Sequence, residues 1–218
     1  MINKYTRPSL IIKHWCVTKE DLYKLYTFFI RRFTSDNIPI ELETASGNNK
    51  VYKNFNELSE DISKLLIDKE IIKKIEISHR ISDPKNWSKN KQIWIDIDFS
   101  FQSVGFHIIA EDTDGTYKDW VDGAYEEMCR IFSSFQYNSE FVKIMNEHYK
   151  IRRYADSVIV FDYNGEIRKR IEDKIRLKER EISKLAPKKE PWYKQWWMFY
   201  LVYPFIVTLI IFIISKSF

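Results

Sequence analysis

Hydrophobic residues recur at every second position from Ile93 to Phe101. Ile93, Ile95, Ile97, Phe99 and Phe101 alternate with Trp94, Asp96, Asp98 and Ser100. Successive side chains on a strand point to opposite faces, so this period of two predicts a strand with one face in a core and one turned outward. Phe106, Ile108 and Ala110 carry the apolar face onto a following strand, after a hairpin turn expected over 102–105. Ile75 and Ile77, with His79 continuing the pattern, predict a preceding strand, joined by a loop over 82–90. The Asp112-Thr113-Asp114-Gly115-Thr116 run is expected to end the sheet.

Elsewhere the apolar period lengthens to that of a helix. Thr18 opens the first such segment, with Glu20 and Asp21 in its first turn. Leu22, Leu25, Phe29 and Phe33 mark its buried face. Asn54, with Glu57 three residues on, opens a second helix striped by Phe55, Leu58, Ile62, Leu65 and Leu66. A third starts near Tyr117 and carries Trp120, Ala124, Met128, Ile131 and Phe135 along one side. A fourth starts at Ser139, with Phe141, Ile144, Met145 and His148 inward. Strands are expected over 10–17 and 38–43, with a turn over 45–49 and a short return at Val51-Tyr52. The β-branched run 157–161 reads equally as a last strand or a connector. Hairpins and helices that segregate in this way predict an α+β fold, a mainly antiparallel sheet with helices packed on one face.

The pattern changes after Tyr163. A charged helix is predicted over 165–185, with Glu166–Arg170 and Glu172–Arg176 as favourable i,i+4 pairs. Ile167, Ile171, Ile175, Ile182 and Leu185 form a narrow apolar seam on it, and Pro187 ends it. From 196 to 214 the chain reads WWMFYLVYPFIVTLIIFII, with no charge in nineteen residues. As a helix this run is roughly 28 Å long, close to the hydrocarbon thickness of a bilayer. Trp192, Trp196 and Trp197 on its near side suit the headgroup level, and Lys216 marks the far edge. Pro204 falls inside the run, where lipid-embedded helices tolerate proline as a kink. The expected organisation is an α+β domain over 1–163, a charged juxtamembrane helix and hinge over 164–191, and a C-terminal transmembrane anchor over 192–218.

Charge sets the expected orientation. Residues 164–190 hold ten Lys/Arg and six Asp/Glu, a surplus equal to the +4 of the whole chain. Residues 1–163 hold 23 bases and 25 acids. The basicity is therefore juxtamembrane. By the positive-inside rule it places the N-terminal domain in the cytoplasm, and it gives no reason to expect a nucleic-acid partner. Two cysteines, Cys16 and Cys129, offer no disulfide framework, in keeping with a reducing compartment.

Candidate chemistry is sparse. Asp96 and Asp98 form a D-x-D pair on one side of a strand, with His107 on the neighbouring strand. Oxygen-rich sets of this kind bind Mg²⁺ or Mn²⁺ in nucleases, although alternation also puts acids on any solvated strand face. The four histidines lack metal-site spacing, and five glycines leave no P-loop or dinucleotide fingerprint. Asp112 to Gly115 starts like a calcium loop, but the twelfth position is Gly123. No metal or cofactor is expected. The isoleucine seam, with Lys188 and Lys189, is expected to associate copies of the chain, or to lie on anionic lipid or on the domain itself.

These features predict a tail-anchored, single-pass membrane protein. Its cytoplasmic domain is expected to bind a protein partner or a small signal, with a homo-oligomer as the expected assembly. Two alternatives belong to other classes: an oligomerising, membrane-perturbing effector of a bacterial defence or toxin system, and a membrane-tethered metal-dependent nuclease built on Asp96 and Asp98.

Overall fold

A computed structural model describes residues 2–10, 12–83, 86–135, 137–148, 157–185, 200 and 202–216. Two compact units divide the chain, Met1–Ile175 and Arg176–Phe218.

The first unit is α+β. Its main sheet is antiparallel throughout, in the order β1-β7-β6-β5-β3-β4. The strands are β1 (Asn3–Thr6), β3 (Ile40–Thr44), β4 (Asn49–Tyr52), β5 (Ile72–Asp83), β6 (Asn86–Asp98) and β7 (Ser103–Asp112). The alternation holds from Ile93 to Ile97. Ile75 pairs with Ile97 and Ile97 with Val104, while Ile77 pairs with Ile95 and Ile95 with Phe106. These side chains are buried on one face, and each stabilises the fold by roughly 1.5–3 kcal/mol. They share a core with α1 (Lys19–Phe33), α2 (Phe55–Ile67) and α3 (Tyr117–Ser133). His79 continues the inner row at the rim. Its ring meets the edge of Phe33 at 4.7 Å, and burial pushes its imidazole below the ordinary range.

Local chemistry starts and stops these helices. Thr18 caps α1 in a capping box: its hydroxyl accepts from the Asp21 N–H, and the Asp21 carboxylate accepts from the Thr18 N–H. Asn54 caps α2 by accepting from the N–H groups of Asn56 and Glu57. Asp112, fully buried, accepts from the N–H groups of Gly115 and Tyr117 and so turns β7 into α3. Burial works against its charge, but those N–H donors outweigh it and hold the carboxyl below its usual range. The aspartates of this run therefore build a turn.

Several expectations need correction. The polar stretch 82–90 is largely strand, because the β5–β6 ladder continues to Asp83 and Asn86. Arg80, Ile81 and Ser82 are exposed, so this end of β5 leaves no alternating apolar pattern. The turn after β6 lies at 99–102, not 102–105: Asp98 accepts from the N–H groups of Ser100 and Phe101, and β7 begins at Ser103. Phe101 is accordingly exposed rather than core. On α3, Val121 and Phe132 are buried, while Trp120 and Ile131 pack at the edge. The strand expected over 10–17 is confined to β2 (His14–Val17).

A second, two-stranded sheet pairs β2 in parallel with β8 (Val158–Phe161), so the last short apolar run is a strand. A second apolar cluster forms beside it. Cys16, Phe141, Ile144 and Met145 pack with Val158 and with Ile171 of α5 (Glu166–Leu185), and Ile167 and Ile175 lean on the group. Phe141, Ile144 and Met145 come from α4 (Ser139–His148).

In the second unit residues 176–184 of α5 are exposed, with Leu177 and Ile182 turned to solvent. α6 (Tyr203–Lys216) is apolar apart from Thr208 and the terminal Ser215 and Lys216, and is about 21 Å long. Among the described residues no helix is long and apolar enough to cross a membrane. Pro204 is the second residue of α6, and residues 200 and 202 just before it have π-helical backbone. Trp192, Trp196, Trp197, Lys188 and Lys189 lie outside the described residues.

Candidate functional site

The sheet's outward face holds the residues singled out for metal chemistry. Asp96 is half-buried, and that burial raises its carboxyl above the usual range despite Lys74 alongside. The Lys74 ammonium lies 3.4 Å from it and 3.2 Å from Glu76. Asp98 points the same way but spends its Oδ1 on the turn that follows. His107 stacks on Trp94 with ring centroids 4.5 Å apart, and its Nδ1 is 3.4 Å from the Ser9 hydroxyl. Gly105 separates His107 from Asp96 along the face, and a Cβ there would come within 3.3 Å of the imidazole Nε2. The three residues thus have three different partners. Among the described residues, no group of three His, Cys, Asp or Glu side chains could hold a metal ion.

The isoleucine seam of α5 divides. Ile171 is 2% exposed and Ile167 and Ile175 pack on the domain's own second cluster, whereas Ile182 is 67% exposed. Polar contacts fasten the same half of the helix. The Asp162 carboxylate accepts from the N–H groups of Ile167 and Arg168 and so caps α5. Arg168 Nη2 donates to the buried Asp21 carboxylate at 2.5 Å and to the Cys16 carbonyl at 2.9 Å. Asp21 also accepts from the Trp15 indole at 3.2 Å. Cys16 Sγ touches Met145, and burial pushes the thiol up to about 12.

A cleft of about 740 Å³ opens where the starts of α1, α2 and α5 come together. Its aromatic wall is Tyr23, Phe55 and Tyr163. Tyr23 and Phe55 rings lie 5.2 Å apart, and Tyr163 donates its hydroxyl to Ser59 Oγ at 2.8 Å. Phe55 and Tyr163 are buried, while the Tyr23 ring is 54% exposed. Lys19 Nζ stands 5.8 Å from the Tyr163 ring centre. Asn56 and Asn164 add amides at the rim. Gly165 closes the site with φ of 71°, a left-handed turn that leads the chain into α5.

The charges in the cleft do not cancel evenly. Arg168 is committed to Asp21, and Glu20 pairs with Lys24 at 3.2 Å. Lys19 has no carboxylate partner among the described residues. Sequence reasoning passed over this cleft because its walls come from 18–23, 55–59 and 163–168. The one local signal was Tyr23, an aromatic on the polar side of an otherwise regular amphipathic helix.

Comparison with protein-family models, with curated proteins and with solved structures finds no match to this chain.

Proposed function

We propose that this chain is a membrane-anchored protein whose α+β domain receives a small-molecule signal beside the membrane. The observation that carries the membrane part is the uncharged run at 196–214, bordered by the ten Lys/Arg of 164–190. On this reading the run crosses the bilayer, the tryptophans at 192, 196 and 197 lie at the headgroups, and the domain faces the cytoplasm. The cleft favours a small signal over a protein partner, because it is concave, aromatic-walled and of small-ligand size. It is also lined by Tyr163, Asn164 and Gly165, the residues that lead into α5, so a bound signal would touch the start of the helix that runs toward the anchor. Association between copies through α5 would fall to its Arg176–Leu185 half, where Leu177 and Ile182 are exposed.

Cell fractionation tests the membrane part. The full chain is expected in the membrane pellet and to need detergent for release. A chain stopped after Pro187 keeps the compact unit Met1–Ile175 and is expected in the supernatant. Recovery of the full chain as a soluble monomer would overturn the proposal.

A further inference from the structure

We infer that the cleft between the starts of α1, α2 and α5 binds a planar aromatic anion, a flat ring bearing one phosphate or carboxylate group. The inference deepens the proposed function and rests on its small-signal reading. Three observations carry it. The first is shape: about 740 Å³ accommodates a ligand of nucleotide size. The second is the wall. Two buried residues, Phe55 and Tyr163, line it, and the Tyr23 ring lies 5.2 Å from Phe55 on a residue that stands 54% exposed at the mouth. An exposed ring beside buried ones offers a stacking surface, and ring-on-ring stacking tolerates any flat partner.

The third observation is the charge that remains after internal pairing. Arg168 is held by Asp21 and Glu20 by Lys24, which leaves the Lys19 ammonium as the uncompensated group over the Tyr163 ring. A cation placed above the aromatic wall suits a ligand whose ring lies on that wall and whose anionic group reaches up to it. Asn56 and Asn164 can both donate to and accept from ring heteroatoms. The N–H groups at the three helix starts are already taken, by the side chains of Thr18, Asn54 and Asp162.

The test is a binding titration on the full-length protein in a neutral detergent, read by calorimetry. The aromatic-phosphate arm uses the four common nucleoside monophosphates and phenyl phosphate. The aromatic-carboxylate arm uses benzoate and indole-3-carboxylate. Adenosine and inorganic phosphate supply the ring alone and the anion alone. At least one aromatic anion is expected to saturate a single site below about 1 mM, with adenosine and phosphate each at least ~10-fold weaker. Lys19→Gln and Tyr23→Ala are expected to weaken the same ligand about 10-fold each. Both positions are solvent-facing, and unchanged melting of the two variants would confirm their fold. The inference is overturned if no aromatic anion saturates, if adenosine or phosphate binds as well, or if neither variant weakens binding. Membrane pelleting of the same protein is scored separately, so loss of the ligand class and loss of the anchoring reading are distinguishable.

Discussion

Arg168 and Asp21 meet at 2.5 Å across 147 positions of sequence, and their pairing ties α5 to the N-terminus of α1. The Asp21 carboxylate is 1% exposed. Its other donors are the Trp15 indole and the Thr18 N–H, so the carboxylate is not left to Arg168 alone, while the buried Arg168 Nε has no hydrogen-bond partner among the described residues.

Removing Arg168 leaves the Asp21 charge buried with two neutral donors. Arg168→Ala is expected to destabilise the first unit by about 2–3 kcal/mol, less than a fully buried pair because Arg168 keeps some solvent exposure. Chemical denaturation of the two proteins checks this. A loss below ~0.5 kcal/mol would mean that the pair does not hold α5.

The two ends of the isoleucine seam are expected to respond differently. Ile171→Lys puts an ammonium among Cys16, Phe141, Ile144 and Met145 and is expected to cost on the order of 3 kcal/mol. Ile182→Lys changes an exposed position and is expected to stay within about 0.5 kcal/mol. Melting curves of both variants decide; equal effects would contradict the division of the helix.

On β6, Ile97→Asp places an unpaired carboxylate in the core and is expected to cost on the order of 4 kcal/mol. Asp98→Asn keeps an Oδ1 that can accept from Ser100 and Phe101, so its effect is expected to be small. Asp98→Ala loses both bonds and is expected to cost about 1 kcal/mol. Urea midpoints of the three proteins check the order.

The Cys16 thiol is raised from 9.0 to about 12, chiefly by burial, so the folded state holds its proton more tightly than the unfolded chain does. That contribution to stability is complete below pH 9 and is lost as pH rises toward 12. Burial also raises the Tyr52 and Tyr137 hydroxyls, which act with the same sign. The urea midpoint is expected to fall as pH rises from about 9 toward 12. Under native conditions, iodoacetamide is expected to modify Cys129 and to spare Cys16. Modification of both at equal rates would contradict the packing of β2.

Much of the first unit was legible because local and tertiary signals agree there. Thr18 and Asn54 stand where helices begin, and the isoleucines of β5 and β6 alternate where one face is buried. The failures have a common origin in residues whose structure is set from a distance. β1 is a four-residue edge strand whose pairing with β7 leaves no run of apolar residues. The outer end of β5, at Arg80 to Ser82, pairs with β6 through the backbone and buries none of its three side chains. Which reading of the α5 seam applies to Ile167, Ile171 and Ile175 was not legible, because their partners, on α4, β2 and β8, are scattered along the chain. Asp96, Asp98 and His107 lie on one sheet face, but no local pattern marks that Lys74, the 99–102 turn and Trp94 each engage one of them.

Single-cysteine labelling in intact cells tests the central claim most directly. The background carries Cys129→Ser, with the buried Cys16 left in place. One reporter replaces Ser183 and another replaces Ser217, on either side of the uncharged run. If the run spans the membrane with the domain inside, a membrane-impermeant maleimide labels position 217 from outside and labels position 183 only after lysis. Labelling of both positions before lysis, or of neither until lysis, would contradict the account.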